Sequence, residues 1–278
     1  MIDQARTVAR ADLDDAVRSK LLWGAAALLL VVSVPGYLSV AGALLEQPTR
    51  GVRYFPQALA NYVAPVALIA AHRAVVGERE SGTLRLLFGH PVTRGDIVSG
   101  KLLGRAALVG GVLSLACIGL GVATFAHYGT LPVLPFLAIT AYIVFYGVVW
   151  TAIVVGVSAA AATRFRAIAA GLALFMLFGP FQIWQGVVIP LFALLFTGST
   201  SAGIDQLDPN TWPVWYEYAL RLNPIENFVQ SRYAVVSLVE QGSVRDPAVF
   251  LFGVLAMVLW AAVPLAVGYW RFQRSDLG

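Results

Sequence analysis

Residues 129–163 read GTLPVLPFLAITAYIVFYGVVWTAIVVGVSAAAAT, without one charged residue. An α-helix needs about 20 residues to cross the hydrocarbon core of a bilayer, so this run is long enough for a full span. Uncharged runs also cover residues 21–45 and 167–202. Hydrophobic residues make up 59% of the 278-residue chain and charged residues only 12%, too few to cover a water-soluble globule of this length. The sequence therefore predicts an all-α, polytopic membrane protein.

Prolines in the two longest uncharged runs bear on whether each run forms a single, a kinked or a broken helix. In residues 129–163, Pro132 and Pro135 fall in the first turns, where proline is tolerated, so one long tilted helix is favoured over two short ones. In residues 167–198, Pro180 and Pro190 each remove an internal hydrogen bond, which predicts a kinked or broken span, and a re-entrant piece stays open. We expect about six transmembrane helices in one domain, at residues 21–45, 54–71, 102–128, 131–163, 167–198 and 248–270.

Two segments outside these spans are expected to lie at the membrane surface. Residues 1–20 alternate apolar and charged side chains at helical spacing, which predicts an amphipathic interfacial helix before the first span. Residues 203–246 are rich in Trp and Tyr, whose rings favour a membrane interface. Within this external segment, Asn223-Pro224 is expected to separate two short interfacial helices, with Glu226 in the first turn of the second.

Lys and Arg are unevenly divided between the two sides that six spans define. Fourteen of the nineteen lie on the side of the termini, and six of these fall between Arg73 and Arg105. Cytoplasmic loops carry an excess of these residues, so both termini and the loop at residues 77–101 are expected in the cytoplasm. The net charge of +4 then reflects topology rather than nucleic-acid binding.

Motifs for catalysis or for phosphate binding are weak. Residues 95–102, GDIVSGKL, nearly match the phosphate-loop pattern G-x-x-x-x-G-K-[ST], but Leu102 replaces the hydroxyl residue and no strand pattern precedes the loop. Lys101 is instead expected to be a snorkelling base where the third span enters the membrane. The three histidines are dispersed and Cys117 is the single cysteine. We therefore expect no catalytic, cofactor or metal site in this chain.

Small residues are frequent in the predicted spans and let neighbouring helices approach closely. Close packing is the commoner reason for such residues, and the lining of a substrate path is the alternative. The residues concerned are Gly100, Gly104, Gly110, Gly111, Gly119 and Gly121, with the alanine run at 159–162.

The polar loop at residues 77–101 combines a helix break with a short apolar patch. Residues 81–83, Ser-Gly-Thr, interrupt the extension of the second span, and the patch follows at residues 84–88. Thr93 is expected to cap the next helix. A short helix with an exposed apolar face suits either the groove of a partner protein or the lipid headgroups. Physical reasoning alone leaves these two alternatives even.

Three segments of this loop form a recognisable set: ERESGTL at 78–84, PVTR at 91–94 and GKLLG at 100–104. They resemble the E-x-G-T-L…P-[VL]-[ST]-R…GK-x-x-G signature of permease subunits of type 2 ABC exporters, the ABC-2 family, and most nearly its NosY-like group. VARADLDDAVRS at 8–19 and LRLNPIENF at 220–228 are similar to the family's opening helix and external element. The likeness covers nearly the whole chain but carries no information on substrate.

The resemblance implies a transport function. Family members have six spans, form dimers and dock a separate ATPase subunit that binds ATP and magnesium. This chain would then be the permease subunit of an ABC transporter in a prokaryotic cytoplasmic membrane, without an ATPase site or cofactor of its own. Two loops would couple it to the ATPase. The first would use Glu78, Arg79, Glu80, Ser81, Gly82, Thr83, Leu84, Leu87, Phe88 and Arg94, and the second Arg164, Phe165 and Arg166.

The resemblance also suggests partners, and two other classes of function stay open beside it. The expected partners are an ABC ATPase, a second permease copy in a homodimer, the lipid membrane and a protein outside the cytoplasm; nucleic acid is not expected. The first alternative is a non-transporting membrane anchor or sensor that binds a partner through the external aromatic segment. The second is a lipid-active membrane enzyme with His72 or His127 as its base.

Overall fold

The computed structural model describes residues 2–18, 20–82, 93–200 and 212–274, and the regular structure within these ranges is entirely helical. The predicted all-α, polytopic membrane fold is confirmed. The helices are α1 (Ile2–Val17), α2 (Lys20–Leu44), α3 (Pro48–Ala71), α4 (Val76–Ser81), α5 (Arg94–Tyr128), α6 (Val133–Ala160), α7 (Arg164–Phe178), α8 (Ile189–Thr197), α9 (Val214–Leu222), α10 (Pro224–Gln241) and α11 (Pro247–Arg274).

Five helical segments in the described part of the chain are long and apolar enough to cross a membrane: α2, α3 with its extension α4, α5, α6 and α11. The run with Pro180 and Pro190 is interrupted, as expected. In it α7 ends at Phe178, Gln182 has a φ of 51°, and the π-helical turn Trp184–Val188 leads into α8. Six complete spans therefore stay a prediction.

The centre of the molecule is α6, which packs against α3, α5, α10 and α11. Its Tyr146 and Trp150 are fully buried, and Tyr146 stacks on Phe228 of α10. Toward its end, Gly156 lies against the backbone of α11 so closely that a Cβ there would collide with the main chain of Pro264. Glycine at this position therefore permits the closest helix contact, in the way small residues do in membrane bundles.

The outer helices present apolar surface. Side chains of α2 and α11 such as Leu28, Val31, Leu251 and Val258 are exposed, although they are among the most apolar residue types. A water-soluble protein rarely leaves such continuous apolar faces uncovered. The pattern agrees with helices that face lipid.

The N-terminal helix α1 lies along α5 and contacts it over most of its length. A Cβ built on Gly100 would lie 2.8 Å from the carbonyl oxygen of Ala5, and one on Gly104 would lie 2.9 Å from that of Ala9. The packing role expected for these two glycines is confirmed. Gly111, by contrast, has no atom of the described residues within 4 Å of its Cβ position, so none of the described helices packs closely against it.

Valine in place of Gly100 is expected to push α1 away from α5, because the added side chain meets both the backbone of Ala5 and the side chain of Val8. Overpacking of this kind costs about 1–3 kcal/mol. The same substitution at the open Gly111 is the matched control and should change stability by less than about 0.5 kcal/mol. Thermal unfolding of the purified proteins measures both. Equal stabilities of the two variants would contradict the close approach of α1.

Candidate functional site

The break between α3 and α4 is held by one serine of the central helix. The Oγ of Ser158 donates to the carbonyl oxygen of His72 at 2.9 Å and accepts from the amides of Val75 and Val76, both at 3.2 Å. Ser158, Val75 and Val76 are fully buried, so the two amides have no access to water. The serine therefore satisfies the polar groups that the break frees and fixes the direction in which α4 leaves the span.

The buried carboxylate of Asp12 joins α1 to α5 and, through Lys101, to α4. Oδ1 of Asp12 lies 2.7 Å from Nζ of Lys101 and accepts a hydrogen bond of 2.7 Å from Arg105. Lys101 also pairs with Glu78 on α4, and Arg105 donates to the carbonyl oxygen of Ala70 at 2.8 Å. Two anions and two cations thus compensate each other where burial would make an unpaired charge costly.

This cluster corrects the expectation for Lys101. The sequence predicted a base that snorkels to the membrane surface, but Lys101 is buried and its charge is paired inside the protein. The reason is Asp12, which lies on the face of α1 that packs against α5. A carboxylate at the buried face provides a nearer partner for the ammonium group than water or lipid phosphate.

The two predicted coupling loops meet in the structure. The carboxylate of Glu80 pairs with the guanidinium group of Arg164 and accepts a hydrogen bond of 2.8 Å from its backbone amide. Beside it, Nη1 of Arg79 donates to the carbonyl oxygen of Ala161 at 3.0 Å. The end of α4 and the start of α7 are therefore tied together within one chain.

The C-terminal end of α11 lies beside these contacts between the two loops. The ring of Phe272 is fully buried and lies 5.6 Å from the guanidinium carbon of Arg79 and 5.4 Å from that of Arg94. Arg94 donates hydrogen bonds to the carbonyl oxygens of Phe272 and Gln273. A cation at this position satisfies the free carbonyls of a helix end and complements the helix dipole. The C-terminal end of α11 is therefore part of the same cluster.

Comparison with known proteins identifies the family of this chain. A family model described as ABC-2 family transporter protein matches residues 6–277. The chain belongs to the ABC-2 transporter family. It is similar to the probable ABC transporter permease protein NosY of Pseudomonas aeruginosa, with 28% identity over 301 aligned positions that cover 98% of both chains. A probable ABC transporter permease protein NosY of Stutzerimonas stutzeri is 35% identical over 133 positions, covering 45% of this chain and 46% of the relative. The prediction of a membrane permease subunit is confirmed.

Most described residues of the predicted coupling loops of this ABC-2 permease have partners inside the chain. Ser81 donates to the carbonyl oxygen of Glu78 at 3.2 Å, and Gly82 ends α4 with a φ of 75°. Phe165 is 78% exposed, and Arg166 beside it is exposed as well. The predicted residues Thr83, Leu84, Leu87 and Phe88 lie outside the described part of the chain, and so does the apolar patch at 84–88.

Thr93 begins α5 as expected. Its hydroxyl accepts from the backbone amide of Asp96 at 3.1 Å, and the Asp96 carboxylate accepts from the backbone amide of Thr93 at 3.0 Å. This reciprocal capping box satisfies two of the amides that a helix start leaves free. Because Arg94 follows directly, the cap also positions that side chain against α11.

Near the middle of α11, where Trp260 donates to the carbonyl oxygen of Leu222, the expected break at Asn223-Pro224 separates α9 from α10. The Asn223 side chain accepts from the amides of Ile225 and Glu226 and donates to the carbonyl oxygen of Phe178 at 3.0 Å. Asn223 therefore caps α10 and also satisfies the end of α7. Residues 203–211 of the predicted external segment are not among those the structure describes.

Asparagine in place of Asp12 should destabilise the permease by about 3 kcal/mol, because Lys101 and Arg105 then lose the buried anion between them. Asp14 lies on the exposed face of the same helix, so Asp14→Asn is the matched control and should change stability by less than about 0.5 kcal/mol. Denaturant unfolding of the purified variants compares them. Similar losses in both variants would show that Asp12 is not the anion on which the cluster depends.

Proposed function

We propose that the joined loops of this permease form the surface through which a separate ABC ATPase drives transport. The observation that carries the proposal is the pair of contacts from Glu80 to Arg164 and from Arg79 to Ala161. Because these contacts connect the second and fifth predicted spans, a displacement of either loop would move both. Closure of the ATPase subunits would then rock the permease between states open to opposite sides of the membrane.

Side chains beside these contacts support a docking surface. The aromatic ring of Phe165 is largely exposed next to the tied residue Arg164. Exposed aromatic and arginine side chains provide much of the energy at protein interfaces when a partner buries them. We propose that the ATPase contacts Phe165 and Arg166 together with the 84–88 patch predicted from the sequence.

We also propose how the permease is oriented in the membrane and how it assembles. Arg79, Arg94, Arg105 and Arg164 cluster at the end of the bundle that carries the loops, which supports placing this end and both termini in the cytoplasm. A second copy of the permease would complete the transporter as a homodimer in a prokaryotic cytoplasmic membrane. ATP and magnesium would be bound by the ATPase subunits, and the substrate would pass between the two permeases.

Alanine in place of Phe165 should weaken binding of the ATPase about ten-fold or more, since an interface aromatic contributes about 2 kcal/mol. Tagged permease is purified from its native membranes, and the ABC ATPase that accompanies it is quantified by mass spectrometry. Leu238→Ala removes a half-exposed side chain from α10 at the opposite end and serves as the control. Equal recovery with both variants would exclude this docking surface. If the unsubstituted permease retains no ATPase, the membrane-anchor alternative is favoured instead.

Reversal of one charge, by Glu80→Arg or Arg164→Glu, should lower ATP hydrolysis by the reconstituted complex about ten-fold, because the loops are then pushed apart. The double reversal restores the pair and should recover most of the activity. The effect on folding is expected to be small, since partly exposed ion pairs contribute about 1 kcal/mol or less. ATPase binding is measured in parallel. A double variant no better than either single one would show that the pair does not connect the loops.

A further inference from the structure

A cavity of about 620 Å³ opens at the end of the molecule opposite to the coupling loops. It lies between α9, α10 and the first turn of α11, with Gln57 of α3 at its edge. A volume of this size is typical of sites for small organic ligands. Its wall has an apolar part, formed by Leu220, Val229, Val249 and Phe250, and a charged part, formed by Glu217, Arg221, Arg232, Arg245 and Asp246.

Arg221 is the least compensated cation of this wall. Its Nε is buried and has no hydrogen-bond partner among the described residues, and its Nη1 reaches Ser231 Oγ only at 3.5 Å. Burial lowers the pKa of this guanidinium group, because the charged form loses solvation. No carboxylate in the described part of the chain lies within ion-pair distance of it. An anion in the cavity would offset this cost.

Arg232 provides a second guanidinium group in the same cavity. It donates to Gln57 Oε1 at 2.8 Å and to the Tyr233 hydroxyl at 3.1 Å, and it lies 4.8 Å from the Tyr233 ring. Arg53 approaches the same ring at 5.5 Å. Neutral groups thus hold Arg232 in place and leave its charge uncompensated by a carboxylate in ion-pair contact within the described ranges.

The acidic groups nearby offset these cations only in part. Asp246 pairs with Arg245 at 3.7 Å and does not reach Arg221 or Arg232 within ion-pair distance. Burial, and then the neighbouring Asp246, raises the pKa of Glu217. Burial likewise raises the pKa of Glu226, the acid at the start of α10. Among the described residues that line the cavity, three are arginines and two are acidic, so the formal charge of the wall is positive.

We propose that this external cavity binds a phosphate group attached to an apolar body, with Arg221 and Arg232 as the phosphate ligands. Phosphate has enough oxygens to accept from two guanidinium groups at once, and arginine suits it through paired N–H donors. The apolar wall at Leu220, Val229 and Val249 contacts the remainder of the molecule. The source of the phosphate is either the headgroup of a membrane phospholipid or a soluble phosphate ester. The site does not depend on the proposed coupling to an ATPase.

The test uses the full-length permease purified in a neutral detergent and three probes. Dihexanoyl phosphatidylglycerol represents the lipid headgroup, glycerol 3-phosphate represents the soluble ester, and dihexanoylglycerol lacks the phosphate. Binding is measured by isothermal titration. Saturable binding of a phosphate-bearing probe is expected, and Arg232→Gln should weaken it about ten-fold. Arg50→Gln removes an exposed arginine that does not line the cavity and should leave binding unchanged.

The probes distinguish the two sources and can overturn the site. Binding of the lipid alone identifies a phospholipid headgroup, and comparable binding of glycerol 3-phosphate identifies a soluble ester. Equal binding of dihexanoylglycerol would show that phosphate is not recognised and would overturn the proposal. So would the absence of saturation by either phosphate probe below about 1 mM, or unchanged affinity in Arg232→Gln. Arg221→Gln should give the larger loss, and the half-buried Arg232 keeps the test valid if that variant folds poorly.

Discussion

The contact of the Asp12 carboxylate with Lys101 and Arg105 is the interaction on which the loop-bearing end of the permease depends. A buried anion must have cations beside it, and these two lie one turn apart on α5. Lys101 extends the contact to Glu78 and therefore to α4. The position of the N-terminal helix, the end of the second span and the start of the third are thereby determined together.

Further contacts connect this cluster to the rest of the bundle at the same, loop-bearing end of the molecule. Ser158 holds the start of α4 against α6, Glu80 holds its end against α7, and Arg79 and Arg94 enclose Phe272 of α11. A force applied to α4 therefore acts directly on four other helices, α5, α6, α7 and α11. Such a contiguous network provides a physical route for the coupling that we propose between an ATPase and the transport path.

Local signals in the sequence predicted the parts of this arrangement that depend on neighbouring residues. Uncharged runs predicted the spans, Pro180 the interruption after α7, Thr93 the start of α5, and Asn223 the start of α10. The roles of Ser158 and Asp12 could not be predicted, because their partners are more than eighty positions away along the chain. Hydrophobic periodicity shows that a polar residue is buried but not which distant group compensates it.

In the proposed mechanism, the tie between the two loops transmits the motion caused by ATP hydrolysis. Glu80→Cys with Arg164→Cys, in a chain carrying Cys117→Ser, removes the ion pair and allows a short bismaleimide to replace it. Hydrolysis by the complex reconstituted with its ATPase is measured before and after cross-linking. Low activity is expected in the double cysteine variant, with recovery once the loops are linked. Activity that stays low after complete cross-linking, with ATPase binding intact, would contradict this mechanism.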